Sequence, residues 1–209
     1  MGTFLSAIRC TECSKAGNIG YLLPADSGED ADWVCCNCGD LVPWATADAF
    51  LQELVAKSEV MSFSQPCSAW ESLLEELQTK YLHPNHYLCM HVKRILIHLY
   101  GNKEKFDAND MAAVSRKLRL CQNYIEVYSK VEEGYSAWRG RLLEEMVGPY
   151  LQHHKQALKA QEITESEYLQ HFKESLKMIK FAAKCRQFEP TDSRNFIAWC
   201  LKEANDALG

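Results

Sequence analysis

Four cysteines at matched spacing stand near the front of the chain. Cys10 and Cys13 in "RCTECS" form one C-x-x-C pair, Cys35 and Cys38 in "DWVCCNCGD" form a second, and 21 residues separate them. Zinc favours four thiolates in a tetrahedron at about 2.3 Å each, and a C-x-x-C turn lets two sulfurs converge on one point. The spacing therefore predicts one structural zinc held by Cys10, Cys13, Cys35 and Cys38. Gly39 directly follows Cys38 and tolerates the positive φ that turns a knuckle's backbone amides towards sulfur. Cys36 breaks the matched spacing and is expected to stand aside. The alternative use of such pairs is a disulfide framework, which belongs to secreted chains. Nothing in this sequence marks secretion.

The elements that must position these sulfurs are short. "GYLLP" (20–24) and "DWV" (32–34) are apolar and aromatic runs flanking the turn-rich, acidic "ADSGEDAD". Residues 1–43 read as a small zinc ribbon. It carries Arg9 and Lys15 against Glu12, Asp26, Glu29, Asp30, Asp32 and Asp40, a net charge of −4. Phosphate binding needs the opposite sign, so no nucleic-acid partner is expected. A segment this small, with few apolar side chains, needs a staple to fold, which makes the metal a structural clip.

The whole chain has 209 residues, 47% of them hydrophobic and 24% charged, an ordinary composition for a folded protein with a real core. Its net charge of −5 leaves residues 44–209 nearly balanced. The other cysteines (Cys36, Cys67, Cys89, Cys121, Cys185 and Cys200) are scattered, four of them on apolar helical patterns, as reduced core cysteines are. The expected location is cytoplasmic, nuclear or both. No apolar run approaches the length of a transmembrane helix, and no membrane partner is expected. "MGTFLS" fits the myristoylation pattern, but one acyl chain anchors only marginally and no basic cluster supplies a second signal.

After the ribbon the periodicity is helical. One helix is expected from near Asp48 with Leu51, Leu54, Val55 and Val60. A second opens at "SAWE", with Ser68 and Glu71 as a capping box, and presents Trp70, Leu73, Leu74, Leu77 and Tyr81. Asn85 caps a third, striped by Leu88, Val92, Ile95 and Leu99 and ended by Gly101. A helix over 109–132 carries two seams, Met111, Val114, Leu118, Cys121, Ile125 and Tyr128 beside Leu120, Tyr124, Val127 and Val131. Another over 136–160 is expected to kink at Gly148-Pro149. "TESE" (164–167) is a capping box that opens a helix with Tyr168, Phe172, Leu176, Ile179 and Ala183. The last, after Asp192, carries Phe196, Ile197, Cys200, Leu201 and Ala204. The fold class expected is mainly α: a zinc ribbon at 1–43, then a tetratricopeptide-like array of about seven antiparallel helices at 44–209. The residue pattern of a true tetratricopeptide repeat is absent.

Catalytic constellations are thin. There is no Walker loop, dinucleotide glycine fingerprint, G-x-S-x-G or H-E-x-x-H. His83, His86, His91 and His98 lack the i, i+4 spacing of helical metal ligands, and His153 and His154, being adjacent, are expected on different faces. No cysteine has a recognisable electropositive neighbourhood.

The ordered segments "GTFLSAIRCTEC", "GYLLPADSGEDADWVCCNCG", "LHPNHYLCMHVKRILIHLYG" and "LCQNYIEVYSKVEEGYSAWRGRLLEEMVGPYL" resemble, in that order, the C-terminal half of the insect SmydA (msta-like) branch of the SMYD proteins. Those are SET-domain protein-lysine methyltransferases interrupted by a MYND zinc module and ending in a tetratricopeptide-like domain. On this resemblance Cys10, Cys13, Cys35 and Cys38 match the branch's post-SET ribbon, and the SET and MYND segments have no counterpart. No family catalytic or S-adenosylmethionine-binding residue maps onto this sequence; "NHYLC" (85–89) is a false echo of the N-H-S-C-type motif. The resemblance implies a non-catalytic module, from a truncated gene model or a shortened relative, that binds protein or peptide, the missing SET domain among the candidates. The alternative is a protein-lysine methyltransferase using S-adenosylmethionine, if the chain is part of a full-length SET protein.

Overall fold

The computed structural model describes residues 4–62, 64–101 and 110–186. It is mainly helical, with one small antiparallel sheet at the front. The chain divides into two compact units, Met1–Leu96 and Ile97–Gly209, and residues 43 and 44 lie together inside the first.

The sheet is a meander in chain order, β1 (Ile8–Arg9), β2 (Tyr21–Pro24), β3 (Trp33–Cys35) and β4 (Leu41–Val42). Register pairs Ile8 with Leu22, Leu22 with Cys35, and Trp33 with Val42. Because side chains alternate along a strand, these residues share a face, on which Ile8, Leu22, Trp33 and Cys35 are buried. Leu23, Val34 and Leu41 are cross-strand partners on the opposite face. A short helix not anticipated from the sequence, α1 (Thr11–Lys15), fills the β1–β2 connection.

Helix α2 (Trp44–Glu59) starts four residues before the Asp48 expected, directly after Pro43, whose carbonyl accepts from the Thr46 and Ala47 N–H groups. Of its expected stripe Leu54 is buried, while Val60 lies just past the end and is exposed. Helix α3 (Cys67–Glu76) does not use the Ser68/Glu71 box. Pro66 is its N-cap, so Ser68 is already the second helical residue, past the position from which a hydroxyl caps. A π-turn, Leu77–Tyr81, continues it and closes with Leu82 N–H donating to the Leu77 carbonyl at 2.7 Å. Trp70, Leu73, Leu74 and Leu77 are buried as expected. The π-turn releases Leu82 into extended backbone, where it bridges Ile8 of β1. Two further bonds tie this corner, His83 N–H to Ala7 O at 3.0 Å and Tyr87 N–H to Leu5 O at 2.8 Å. The ribbon is thus stitched to the helices that follow it in the same unit.

Helix α4 (Tyr87–Leu99) buries Leu88, Val92, Ile95 and Leu99. Asn85 does not cap it: His86 Nδ1 accepts the Leu88 N–H at 3.2 Å, and Asn85 N–H instead donates to His83 Nδ1. In the second unit α5 (Met111–Tyr128) begins at Asp110, whose carboxylate caps Ala112 and Ala113, and both seams are represented in its core, by Val114, Leu118 and Cys121 and by Leu120, Tyr124 and Val127. Helix α6 (Ala137–Lys159) contains Pro149 as an internal residue, and packs on both α5 and α7 (Glu165–Cys185). Val147 and Ile179 are the buried centre of the α6–α7 contact, flanked by Leu151, Leu176 and Met178. The Thr164/Glu167 capping box forms in full. On α7 it is Ala182, not Ala183, that is buried. The helix expected after Asp192 lies outside the described residues.

Candidate metal centre

The Sγ atoms of Cys10, Cys13, Cys35 and Cys38 lie within 4.8 Å of one another. They are the only group of three or more His, Cys, Asp or Glu side chains among the described residues so arranged. The closest approaches cross between the two C-x-x-C turns, Cys10 to Cys38 and Cys13 to Cys35, each at 3.7 Å. A tetrahedron with metal–sulfur bonds of about 2.3 Å has edges of about 3.8 Å, so the spacing suits a zinc-sized ion. All four sulfurs are free thiols. Cys36 is exposed and outside the group.

Each turn is held by its own backbone. Cys10 is the N-cap of α1, its sulfur accepting the Cys13 N–H at 3.5 Å, and its own N–H donates to the Gly20 carbonyl at 2.9 Å. In the second turn the Asn37 N–H reaches Cys35 Sγ at 3.4 Å, and Gly39, at φ +75°, donates its N–H to the Cys35 carbonyl at 3.1 Å. The positive φ expected at Gly39 is present. The first turn has no such glycine and runs on into α1, so the two turns are not alike.

Two residues of the site were missed by spacing alone. The Asn37 side chain joins the turns, its Nδ2 donating to Cys13 Sγ at 3.5 Å and to the Ile19 carbonyl at 3.4 Å. Gly20 lies against the sulfurs: a Cβ there would overlap Cys13 Sγ and come within 3.0 Å of Cys35 Sγ. A glycine opening the first strand after the first cysteine pair was the available signal.

Electrostatics differ among the thiols. Burial pushes Cys10 up to about 12 and raises Cys13, with neighbouring thiols adding to the effect. Burial also opposes ionisation of Cys35, but the backbone N–H groups of Cys38 and Asn37 and the thiols of Cys38 and Cys10 outweigh it and bring Cys35 down to about 7. A cation entering the cluster would displace the remaining protons, and its affinity must rise with pH. Four sulfur donors, three of them with N–H groups aimed at them, make a donor set of the structural zinc type, with every coordination position supplied by protein.

The histidines do not join this centre. His83 is stacked on Phe4 and edge-on to Tyr21, each at 4.7 Å between ring centres. His86 is fully buried, while His91 and His98 are exposed. His154 contacts His171 of α7, ring centres 3.7 Å apart, in a cluster where the Tyr150 hydroxyl lies 2.8 Å from His171 Nδ1 and donates to Glu174 at 2.7 Å. His154 Nδ1 points at the Tyr150 carbonyl, 2.8 Å away. Sequence reading could not see this cluster, because His171 comes from another helix.

No protein-family model matches the chain, and no curated protein matches it. Among the described residues no helix is long and apolar enough to cross a membrane.

Proposed function

We propose that this chain is a zinc-stapled, non-catalytic protein-interaction module, in which Cys10, Cys13, Cys35 and Cys38 hold one structural zinc and the helices offer surfaces to a protein or peptide partner. The observation that supports it most is the closed sulfur cluster, in which each 3.7 Å contact joins one turn to the other. An ion there would cross-link β1–α1 to β3–β4 and replace the apolar core that a ribbon of this size lacks. With four protein ligands it offers no open position for a substrate or a water. The likeness to the C-terminal half of SMYD proteins, with a tetratricopeptide-like helical domain beyond the ribbon and a cytoplasmic or nuclear setting, belongs to the same proposal. It rests on the quoted segments and on the ribbon-then-helices order. Methyl transfer needs a pocket for S-adenosylmethionine and a channel aligning the target amine, and this sequence carries neither motif set. Elemental analysis of the purified chain tests the reading, with about one zinc per chain expected. Calorimetry against S-adenosylmethionine tests its second half: saturable binding of that cofactor would overturn the non-catalytic reading.

A further inference from the structure

Within the ribbon, one sheet face is closed and the other is half open. Register aligns Leu23, Val34 and Leu41 across β2, β3 and β4 on the face opposite the buried Cys35. Leu23 and Val34 are half-buried and Leu41 is 59% exposed. Three apolar side chains in one cross-strand row form a contiguous strip, unlike the isolated apolar residues common on any surface.

The charge of the loop beside this strip has one sign. The β2–β3 loop, which leaves the sheet one residue beyond Leu23, exposes Asp26, Glu29, Asp30 and Asp32, and Asp40 directly precedes Leu41. Of the ribbon's two cations, Arg9 lies on this same face, paired with Tyr21 at the end of β2 away from the loop, and Lys15 has Asp40 among its electrostatic neighbours. Lys15 pairs with Glu12 at 2.7 Å, and Arg9 donates to the Gln78 carbonyl at 3.2 Å while lying over the Tyr21 ring. The loop acids bond only to backbone N–H groups, Asp26 to Gly28 and Asp32 to Trp44. Filling the cysteine cluster with a divalent ion and four thiolates would add further negative charge. A surface with an apolar strip and an acidic loop at its rim is complementary to one kind of partner.

We propose that the Leu23–Val34–Leu41 face of the ribbon docks a short segment of a partner protein carrying apolar side chains flanked by lysine or arginine. The proposal rests on the interaction-module reading and gives that module a surface and a partner chemistry. The apolar side chains of the segment cover the strip, and its cations meet the β2–β3 loop.

A displayed library of random peptides, selected on the full zinc-loaded chain, tests this. Enriched sequences should carry lysine or arginine next to apolar residues, and a labelled selected peptide should bind saturably by fluorescence anisotropy. Binding should weaken about tenfold in Val34→Ser/Leu41→Ser. The variant Asp26→Asn/Glu29→Gln/Asp30→Asn, confined to an exposed loop, should also weaken it and flatten its salt dependence. Failure to enrich any peptide, enrichment of acidic or purely polar sequences, or binding as tight as the parent's by either variant would each overturn the docking surface. Zinc content measured on the same samples separates the two readings. A chain with its zinc but no such binding refutes the docking face alone, whereas a chain that takes up no zinc refutes the ribbon reading beneath it.

Discussion

Gly20 lies directly against Cys13, so closely that a Cβ at position 20 would overlap the cysteine's Sγ. The neighbouring atoms are sulfurs of the candidate metal site, which cannot retreat without leaving the cluster. Gly20→Ala should therefore release the ion far more readily than the parent chain in competition with a chromogenic chelator. Gly39→Ala is the contrast, because its Cβ would meet nothing within 4 Å and pays only for a φ of +75°, about 1–2 kcal/mol. It should remain loaded, with a lowered melting temperature. Equal metal retention by the two variants would show that the sulfurs near Gly20 have room to move.

Cys36→Ser should keep the metal and Cys35→Ser should lose it, since Cys36 is exposed while Cys35 lies 3.7 Å from Cys13. Chelation should reach beyond the ribbon. Leu5, Ala7 and Ile8 are bonded to Tyr87, His83 and Leu82, so loss of the metal should loosen that corner as well. Hydrogen exchange followed by mass spectrometry should show protection falling across 8–42 and 82–90 while α6 and α7 keep theirs. Undiminished protection of β2 and β3 after chelation would mean the sheet stands without its staple.

Lys117 of α5 is 5% exposed at its side chain and holds Glu145 of α6 at 2.5 Å. Glu145→Gln should destabilise the second unit by about 2 kcal/mol, because it leaves a buried ammonium without its counter-charge. Lys117→Met in that background should recover most of the loss, since the buried stem is apolar and the unpaired charge disappears. Urea titration of the single and double variants measures both effects, and additive losses would exclude the pair as the cause.

His86 gives the first unit a pH dependence of defined sign. Burial, with His83 nearby, lowers it from 6.5 to about 4, so the folded state binds its proton less well than the unfolded chain does. Stability from this group is complete above about pH 6.5 and is lost as pH falls from there towards 4, by roughly 3 kcal/mol in total. His86→Asn retains an oxygen able to cap Leu88 and has no proton to gain. Its denaturation midpoint should be flatter than the parent's across that window; an identical pH profile would assign the acid sensitivity to other groups.

Much of this protein is local, and local features were legible in the amino-acid order. Each C-x-x-C pair, the Thr164/Glu167 box and the buried stripe of α4 depend on neighbours within one or two turns, whereas the meeting of the two pairs, 21 residues apart, is set by the strand pairing. The misjudged helix starts have the same root. Pro43 and Pro66 begin α2 and α3 through backbone geometry alone, whereas side-chain signals at Asp48 and Ser68 mark positions already inside the helices. What only the tertiary structure decided is who meets whom across long separations. Asn37 reaches Cys13 and Ile19, Leu82 leaves a π-turn to pair with Ile8, His171 finds His154 and Tyr150 on another helix, and Leu23, Val34 and Leu41 line up in one row. Such meetings are fixed by strand register and by the packing of one helix on another, and the periodicity of a single segment, which names its apolar face, carries no information about the neighbour that will cover it.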